Sequence, residues 1–286
     1  MSEGHKRKKR KRTIQDKIIS GFNNFRYGLL EPIKLKRARS KYEPLYEKPE
    51  KNPLVSIYIP TYNRAELLRD RAIDSVLKQT YKNFELIIVG DHCTDNTEEV
   101  VKQIGDPRIR FVNLPKRDKR YPEGVDIHWF AGPVVPANHA LDMIRGKWIA
   151  RLDDDDIWTP NHLESLLRYA QEGQHEFVSA MHEEERHGEK RIVDVRDQDP
   201  PIGGTQTWLY RSYLNFFKYN INCWRKSWNK VNDLDLQDRM HKAGVKMGFL
   251  DKVIAHIIPR PGEDTVGLDA YFETKKDKLD HFKFKD

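Results

Sequence analysis

The chain has 286 residues and a mass of 33.8 kDa, and 38% of its residues are hydrophobic, which is enough for a large core and excludes disorder throughout. The sequence predicts no membrane-spanning helix and no secretory signal, because it has no run of about 18 uncharged apolar residues. Two cysteines, Cys93 and Cys223, are typical of a reducing compartment. We therefore expect a cytoplasmic protein, either soluble or peripheral to the inner face of a membrane.

The formal net charge of +7 belongs to the N-terminal segment. Residues 1–50 contain 15 Lys/Arg and 6 Asp/Glu, whereas the remaining residues contain 36 and 38. The globular part is therefore close to neutral, and the basic character of the whole chain says little about what its site binds.

Residues 1–50 are predicted to form a basic, partly disordered extension that ends in a linker at 48–53. Its run Lys6–Arg12 is followed by apolar residues at helical spacing, which predict a short amphipathic helix next to Lys17 and Arg26. The apolar residues are Ile14, Ile18, Phe22, Phe25 and Leu29. The segment could bind an anionic membrane surface, dock on the domain as an inert tail or, less favoured, bind nucleic-acid phosphates.

From Val55 onward, short β-type runs alternate with helical patterns. The predicted strands are 55–59, 84–89, 108–114 and 147–152, and the predicted helices are 66–79, one that begins at Asp95 and one around Leu141. This alternation predicts an α/β fold with a mostly parallel central sheet and helices on both faces.

Polar residues directly follow three of these strands. They are Thr61, Tyr62 and Asn63 after the first strand, Asp91 after the second, and Asp153, Asp154, Asp155 and Asp156 after the fourth. Because ligands bind beyond the carboxyl ends of parallel strands, we expect these residues to share one site. The sequence has no glycine-rich phosphate loop, which disfavours a dinucleotide-dependent dehydrogenase and a P-loop NTPase.

The four consecutive aspartates repel one another, and a cation would relieve that repulsion. Oxygen ligands favour Mg²⁺ or Mn²⁺. The structural alternative is that the aspartates begin the helix around Leu163, where acidic side chains are favourable.

Four blocks of the sequence resemble glycosyltransferase family 2, the inverting, sugar-nucleotide-dependent enzymes with the GT-A fold. The blocks are Val55–Arg64, Phe84–Asp91, Gly146–Asp156 and Asp233–Met240. The resemblance implies a single GT-A domain over residues 53–268. Residues 53–156 would bind the nucleotide sugar, residues 157–268 would bind the acceptor, and residues 269–286 would form a charged tail.

The resemblance also implies roles for individual residues. In the donor site, Tyr62 would pack on the base and Asp91 would read its edge, although a tyrosine at a strand end is otherwise a core residue. The donor-binding candidates are Pro60, Thr61, Tyr62, Asn63, Arg64, Asp91, Asn138, Asp153 and Asp154. The metal candidates are Asp155, Asp153, Asp156 and His256. Asp155 would ligate the Mn²⁺ or Mg²⁺ that bridges the diphosphate, Asp153 would lie near the ribose or donor sugar, and a structural role is favoured for His256.

An inverting single displacement needs one carboxylate base on the face opposite the leaving group. Asp233 matches the aspartate of the family's acidic motif, although Asn232 stands where a glutamate usually precedes it. Asp235 is the second candidate, and both could instead cap the following helix.

Three departures from the family pattern affect the donor site. Ala137 stands where an arginine is common before Asn138, and Gly90 stands where a second carboxylate is common before Asp91. The insertion at 116–133 is predicted to be a mobile active-site loop that could compensate for these departures. Its basic residues, Arg117, Lys119 and Arg120, could approach phosphate, but solvated charges are the favoured interpretation.

The sequence therefore predicts an inverting, metal-dependent glycosyltransferase that uses a nucleoside-diphosphate sugar, UDP by default. The expected acceptor is a glycan or glycolipid hydroxyl, as in polysaccharide biosynthesis. Two alternatives remain: a glycosyltransferase of modified DNA bases guided by the basic arm, and a catalytically inactive sugar-nucleotide or glycan-binding module.

Overall fold

The computed structural model describes residues 11–122, 125–226 and 231–273. Residues 1–10 and 274–286 lie outside the described part of the chain. They include most of the predicted basic run and most of the predicted charged tail. The helices are α1 (Ile14–Tyr42), α2 (the contiguous stretches Ala65–Leu67, Leu68–Ile73 and Asp74–Leu77), α3 (Thr97–Ile104), α4 (Val125–Ala131), α5 (Val134–Met143), α6 (His162–Glu172), α7 (Asn232–Ala243) and α8 (Gly267–Glu273). The strands are β1 (Val55–Thr61), β2 (Phe84–Gly90), β3 (Ile109–Asn113), β4 (Trp148–Arg151), β5 (Ile157–Trp158), β6 (Phe177–Arg186), β7 (Glu189–Val193), β8 (Leu209–Arg211) and β9 (Met247–Ile257).

The first four strands form the parallel sheet that the sequence predicts. Their order is β3-β2-β1-β4, and every pairing among them is parallel. All residues of β1 and β2 are buried, as expected for continuous apolar runs in a parallel sheet that is covered on both faces. The α/β class is confirmed, and the carboxyl ends of β1, β2 and β4 lie at the same edge of the sheet.

The sheet becomes mixed beyond β4. Within the described residues it continues as β8-β6-β9-β5, with β7 paired to β6. Strand β8 is antiparallel to β4 and β6, β6 is parallel to β9, and β5 is antiparallel to β9. The mostly parallel arrangement therefore describes the first half of the domain, whereas the second half combines both pairings.

The N-terminal helix is longer than the sequence predicts. Helix α1 has 29 residues and contains Gly21, Gly28 and Pro32, residue types that are unfavourable in a helix interior. It begins with a capping box, in which the backbone amide of Asp16 donates to Thr13 Oγ1 and the amide of Thr13 donates to Asp16 Oδ2. Tertiary contacts with α7 and the segment after β8 compensate for the weak local propensity.

The insertion at 116–133 was predicted to be a loop, and that prediction is wrong in part. Its second half forms α4, because Ile127 and Trp129 pack against the core and Phe130 belongs to it. Residues 123 and 124 lie outside the described part of the chain.

Among the helices that the structure describes, none has both the length and the apolarity needed to cross a membrane.

His162, the first residue of α6, is buried as a neutral imidazole. Its Nδ1 donates a hydrogen bond to the carbonyl of Ile254 at 3.0 Å, and its ring stacks on Trp158 with centroids 3.9 Å apart. Burial lowers the pKa of His162 to about 3.

The unfolded chain binds a proton at His162 more readily than the folded protein does. The free energy of unfolding is therefore fully retained above the ordinary histidine pKa of about 6.5 and decreases as the pH falls from there toward 3. The loss is up to about 1.4 kcal/mol per pH unit. Between neutral pH and about pH 4.5, we expect His162→Phe to lose less unfolding free energy than the wild type does. Urea denaturation at each pH measures this difference. The matched variant His241→Phe, at an exposed position of α7, should keep the wild-type slope. Equal slopes for all three proteins would contradict this assignment.

Candidate active site

The turn after β1 is tied to the loops that follow β2 and β4. Thr61 Oγ1 donates to Asp154 Oδ2 at 2.7 Å, and the carbonyl of Thr61 accepts from the amide of Asp91 at 2.9 Å. Asn63 adopts a positive φ of 50° and exchanges two hydrogen bonds with Thr94. Pro60 is buried inside β1 and contributes no polar side-chain atom. The turn therefore joins the ends of three strands into one rigid edge.

Asp91 and Tyr62, the residues expected at the base, share one partner, Arg117. Arg117 Nη2 lies 3.1 Å from Asp91 Oδ2, and the guanidinium carbon lies 4.2 Å from the centroid of the Tyr62 ring. The Arg117 side chain is only 10% exposed, so its prediction as a solvated charge is wrong. A base that stacks on this face of Tyr62 would have to displace Arg117.

His128 of α4 supports Arg117 in this position. Arg117 Nη2 lies 3.0 Å from His128 Nε2, and His128 Nδ1 lies 3.3 Å from the carbonyl of Pro122. Burial, followed by the charge of Arg117, lowers the pKa of His128 to about 4. The imidazole is therefore neutral at physiological pH, with Nδ1 as donor and Nε2 as acceptor for Arg117.

Burial raises the pKa of Asp91, although the positive charge of Arg117 opposes that effect. The buried carboxylate depends on Arg117 as its cation.

The first two aspartates after β4 are held by different arginines. Arg151 donates to Asp153 Oδ1 from Nη2 at 2.9 Å, and Arg64 donates to Asp154 Oδ1 from Nη1 at 2.7 Å. The Asp153 side chain is 34% exposed, whereas Asp154 is buried. Asp153 can therefore reach a ligand, while Asp154 fixes the β1 turn against the end of β4.

Asp155 is the aspartate with the most positive surroundings. Arg64 Nη1 lies 3.3 Å from its Oδ2 and Arg260 Nη1 lies 3.8 Å from the same atom. Burial alone would raise the pKa of this carboxyl, but Arg64 and Arg260 hold it below its usual value. Asp155 is thus a charged carboxylate whose side chain remains about one quarter exposed.

Asp156 has the opposite electrostatic environment. It is buried, and burial together with the charges of Asp155, Asp153 and Asp154 raises its pKa far above the usual value. This excess of negative charge and the oxygen-only donor set of the row fit a hard divalent cation such as Mg²⁺ or Mn²⁺. The residues present therefore fit the metal that the sequence predicts.

A complete ligand cluster is not preassembled. Over residues 11–122, 125–226 and 231–273 there is no group of three or more His, Cys, Asp or Glu side chains placed to hold an ion. His256 lies opposite Ile157 on β9, and its Nδ1 is 3.3 Å from Glu183 Oε1. The structure pairs His256 with Glu183 and does not group it with the aspartates, so its geometry does not support the predicted metal role.

The two candidate bases on α7 have different environments. Asp233 is partly exposed, and burial raises the pKa of its carboxyl; Arg151 lowers it and Asp153 raises it. Asp233 therefore lies within electrostatic reach of the β4 end. Asp235 is fully buried between Lys226 and Arg239, and these contacts favour a structural role over that of a base.

Asn138, a predicted donor-binding residue, and Asn232, which precedes the candidate base, both make structural contacts. Asn138 donates to the carbonyl of Tyr219 and accepts from its amide, at 2.9 and 2.8 Å, so both its amide groups are used within the protein. Asn232 donates from Nδ2 to the carbonyl of Phe130. The donor-binding role predicted for Asn138 is therefore not supported by its contacts.

Sequence reasoning identified Arg64 but missed two other cations of the site, Arg71 and Arg260. Arg71 donates to the backbone carbonyls of Asp155, Ile258 and Pro259, and Arg260 reaches Asp155 from the segment after β9. The local signal was weak, because an arginine in a helix or a loop is ordinarily solvated. Only their closeness to the aspartate row in the fold identifies them.

The sequence profile described as Glycosyl transferase family 2 matches residues 56–123 and 131–231, which is more than half of the chain. The chain therefore belongs to glycosyltransferase family 2.

Curated relatives match over about two fifths of the chain. The putative colanic acid biosynthesis glycosyl transferase WcaA of Escherichia coli is 40% identical over 123 residues, 42% of this chain and 39% of WcaA. The Escherichia coli protein named UDP-Glc:alpha-D-GlcNAc-diphosphoundecaprenol beta-1,3-glucosyltransferase WfgD is 41% identical over 114 residues, 40% of each chain. The match thus spans about two fifths of the length of these relatives.

Solved structures match the fold over a larger part of the chain. TarS 1–349 of S. aureus in complex with UDP-GlcNAc has a TM-score of 0.58 and 19% identity, covering 73% of this chain and 60% of TarS 1–349. The mannosyltransferase PcManGT of Pyrobaculum calidifontis, in complex with GDP-Man and Mn²⁺, has a TM-score of 0.56 and 18% identity, covering 87% and 69%. The predicted GT-A fold is confirmed.

The dependence of Asp91 on Arg117 gives a stability prediction. We expect Arg117→Met to lower the free energy of unfolding by about 2–3 kcal/mol, because it leaves the buried Asp91 carboxylate without its cation. Urea denaturation at neutral pH measures this loss. The double variant Arg117→Met/Asp91→Asn should recover most of the lost stability.

Arg120→Met is the matched control, because Arg120 is 69% exposed and pairs with Asp118 at the surface. It should cost less than about 0.5 kcal/mol. An equal loss in the two arginine variants would show that Arg117 does not compensate the charge of Asp91.

Proposed function

We propose that the chain transfers a sugar from a nucleoside-diphosphate donor to an acceptor hydroxyl with inversion at the anomeric carbon. The proposal rests mainly on one observation: Asp233 of α7 lies within electrostatic reach of Arg151 and Asp153 at the end of β4, which Thr61 and Asp154 tie to the β1 turn. Under this proposal, residues 53–156 bind the donor and residues 157–268 build the acceptor side.

In the proposed donor site, Asp155 and Asp153 would hold a divalent cation, and a bound cation would favour loss of the proton from the buried Asp156 behind them. A bound cation would stabilise the charge that develops on the leaving diphosphate. When a bound cation compensates the charge of Asp155, Arg64 and Arg260 would be free to bind diphosphate oxygens. UDP is the default nucleotide, and both UDP and GDP donors occur among structures of the same fold.

Asp233 is the proposed general base. Its raised pKa makes the carboxylate a better proton acceptor near neutral pH than an ordinary aspartate. It would take the proton of the acceptor hydroxyl as the oxygen attacks the anomeric carbon from the face opposite the diphosphate. Arg151 holds Asp153 on the donor side, which keeps the two carboxylates in separate roles.

The proposed acceptor is a lipid-linked glycan met at the cytoplasmic face of a membrane, as in polysaccharide biosynthesis. The support comes from relatives whose names specify diphosphoundecaprenol or PP-undecaprenol acceptors.

The first test is nucleotide-dependent thermal stabilisation. UDP, GDP and dTDP sugars are added to the full chain with and without Mn²⁺. We expect one nucleotide class to stabilise only with metal, by about 3 kcal/mol at about 100 times its Kd, which is a shift of the midpoint by roughly 5 °C or more. Asp155→Asn should abolish the shift.

Asp142→Asn is the matched control, because Asp142 is 71% exposed and pairs with Lys218 rather than with an arginine of the aspartate row. It should keep the full ligand-induced shift. If no nucleotide stabilises the wild-type protein under any condition, the donor site is not functional and the inactive binding-module hypothesis replaces the enzyme.

The second test separates the two acidic residues of α7. Asp233→Asn should lower kcat about 10³-fold in release of the nucleoside diphosphate with a GlcNAc-diphospholipid acceptor, and should leave the donor-induced thermal shift intact. Asp235→Asn should instead lower the melting temperature, because Lys226 and Arg239 lose their buried carboxylate. A kcat for Asp233→Asn within about threefold of wild type would exclude Asp233 as the base.

A further inference from the structure

Helix α1 carries its apolar residues on its solvent-facing side. Six of them repeat at helical spacing, and their exposed fractions lie between 44% and 78%. They are Ile14, Ile18, Phe22, Phe25, Leu29 and Ile33, and we call this set the α1 stripe. A surface helix normally turns such a stripe toward the core, so its exposure here needs a cause.

The α1 stripe lies opposite the side by which the helix docks. With 3.6 residues per turn, the six positions fall within an arc of about 100°. The buried positions of the helix fall on the other side, and three of the four are polar. They are Asp16, Ser20, Glu31 and Leu35.

Buried ion pairs fix this orientation. Asp16 Oδ1 accepts from Arg225 Nη1 at 2.7 Å, and Glu31 is paired with Arg239 of α7. Turning the α1 stripe inward would remove both buried carboxylates from their partners, and unpaired buried charges are strongly destabilising. The domain therefore holds the helix with its apolar side outward.

The exposed surface of α1 carries only positive charge. The helix has seven Lys/Arg residues and two acidic residues, and the acidic residues are the buried Asp16 and Glu31. The exposed cations are Lys17, Arg26, Lys34, Lys36, Arg37 and Lys41, and Lys11 and Arg12 precede the helix. An apolar stripe beside cations on a helix that lies flat on its domain is typical of an interfacial helix.

We propose that α1 lies in the interface of an anionic lipid bilayer, with the α1 stripe among the acyl chains and its cations on the lipid headgroups. Charge complementarity favours the anionic lipid surface over the other possible partners of α1. A second copy of the chain would bring one positive helix surface against another, and nucleic acid would leave the two phenylalanines and four aliphatic side chains in water.

The test is sedimentation of the full chain with vesicles of phosphatidylcholine alone or mixed with phosphatidylglycerol. We expect binding to the mixed vesicles only, decreasing with salt. The variant Phe22→Gln/Phe25→Gln should reduce vesicle binding at least about tenfold. Because both side chains are exposed, the variant should fold, which its unchanged melting temperature would verify.

Ile192→Gln is the control, because Ile192 is an equally exposed apolar residue on β7. It should bind the vesicles like the wild type. The proposal is wrong if the double variant binds as the wild type does, or if the wild type binds both vesicle types equally or neither.

Two further outcomes would also overturn it. Light scattering could show a wild-type dimer that the double variant abolishes, with no vesicle binding, which would assign the α1 stripe to a second copy. Salt-dependent binding to duplex DNA without vesicle binding would assign the cations to nucleic acid. None of these measurements needs a sugar donor, so failure of the proposed transferase activity would leave the result interpretable.

Discussion

The structure around the site depends on one electrostatic constraint, four consecutive carboxylates at the end of a buried strand. Desolvation of that much negative charge is unfavourable unless cations compensate it. Arg64 comes from the β1 turn, Arg151 from β4 itself, and Arg260 from the segment after β9. The row therefore joins the first half of the domain to the last strands. Burial and the neighbouring carboxylates raise the pKa of Asp156 far above its usual value, and Arg151 opposes that effect only in part.

The positions of the strands could be predicted because burial determines their composition. Runs such as Val55–Ile59 and Phe84–Val89 are continuously apolar only because both faces of β1 and β2 are covered, and the residue after each run must then lie at one edge. The arginines could not be predicted in the same way. Arg117 packs on Tyr62 only because α4 and the segment before it fold over the β1 turn, a tertiary arrangement that the local sequence does not encode.

Helix α1 shows a related limit of sequence patterns. The spacing of Ile14, Ile18 and Phe22 identifies an apolar side, but a pattern cannot say whether that side meets the domain or the solvent. The orientation of α1 is determined by its tertiary partners, because Arg225 and Arg239 of the domain bind the acidic residues on the opposite side of the helix. Its length, too, exceeds what local propensity allows, since Gly21, Gly28 and Pro32 remain helical under these contacts.

Helix α7 connects the proposed membrane surface with the proposed chemistry. Arg239, in its second half, pairs with Glu31 of α1 and with Asp235, while Asp233 in its first turn lies within electrostatic reach of the β4 end. A rigid helix of 12 residues is only about 18 Å long, so the base is held at short range from the helix that would contact lipid. Helix α7 therefore couples the position of the proposed base to the helix that carries the α1 stripe, through the buried pair of Arg239 and Glu31.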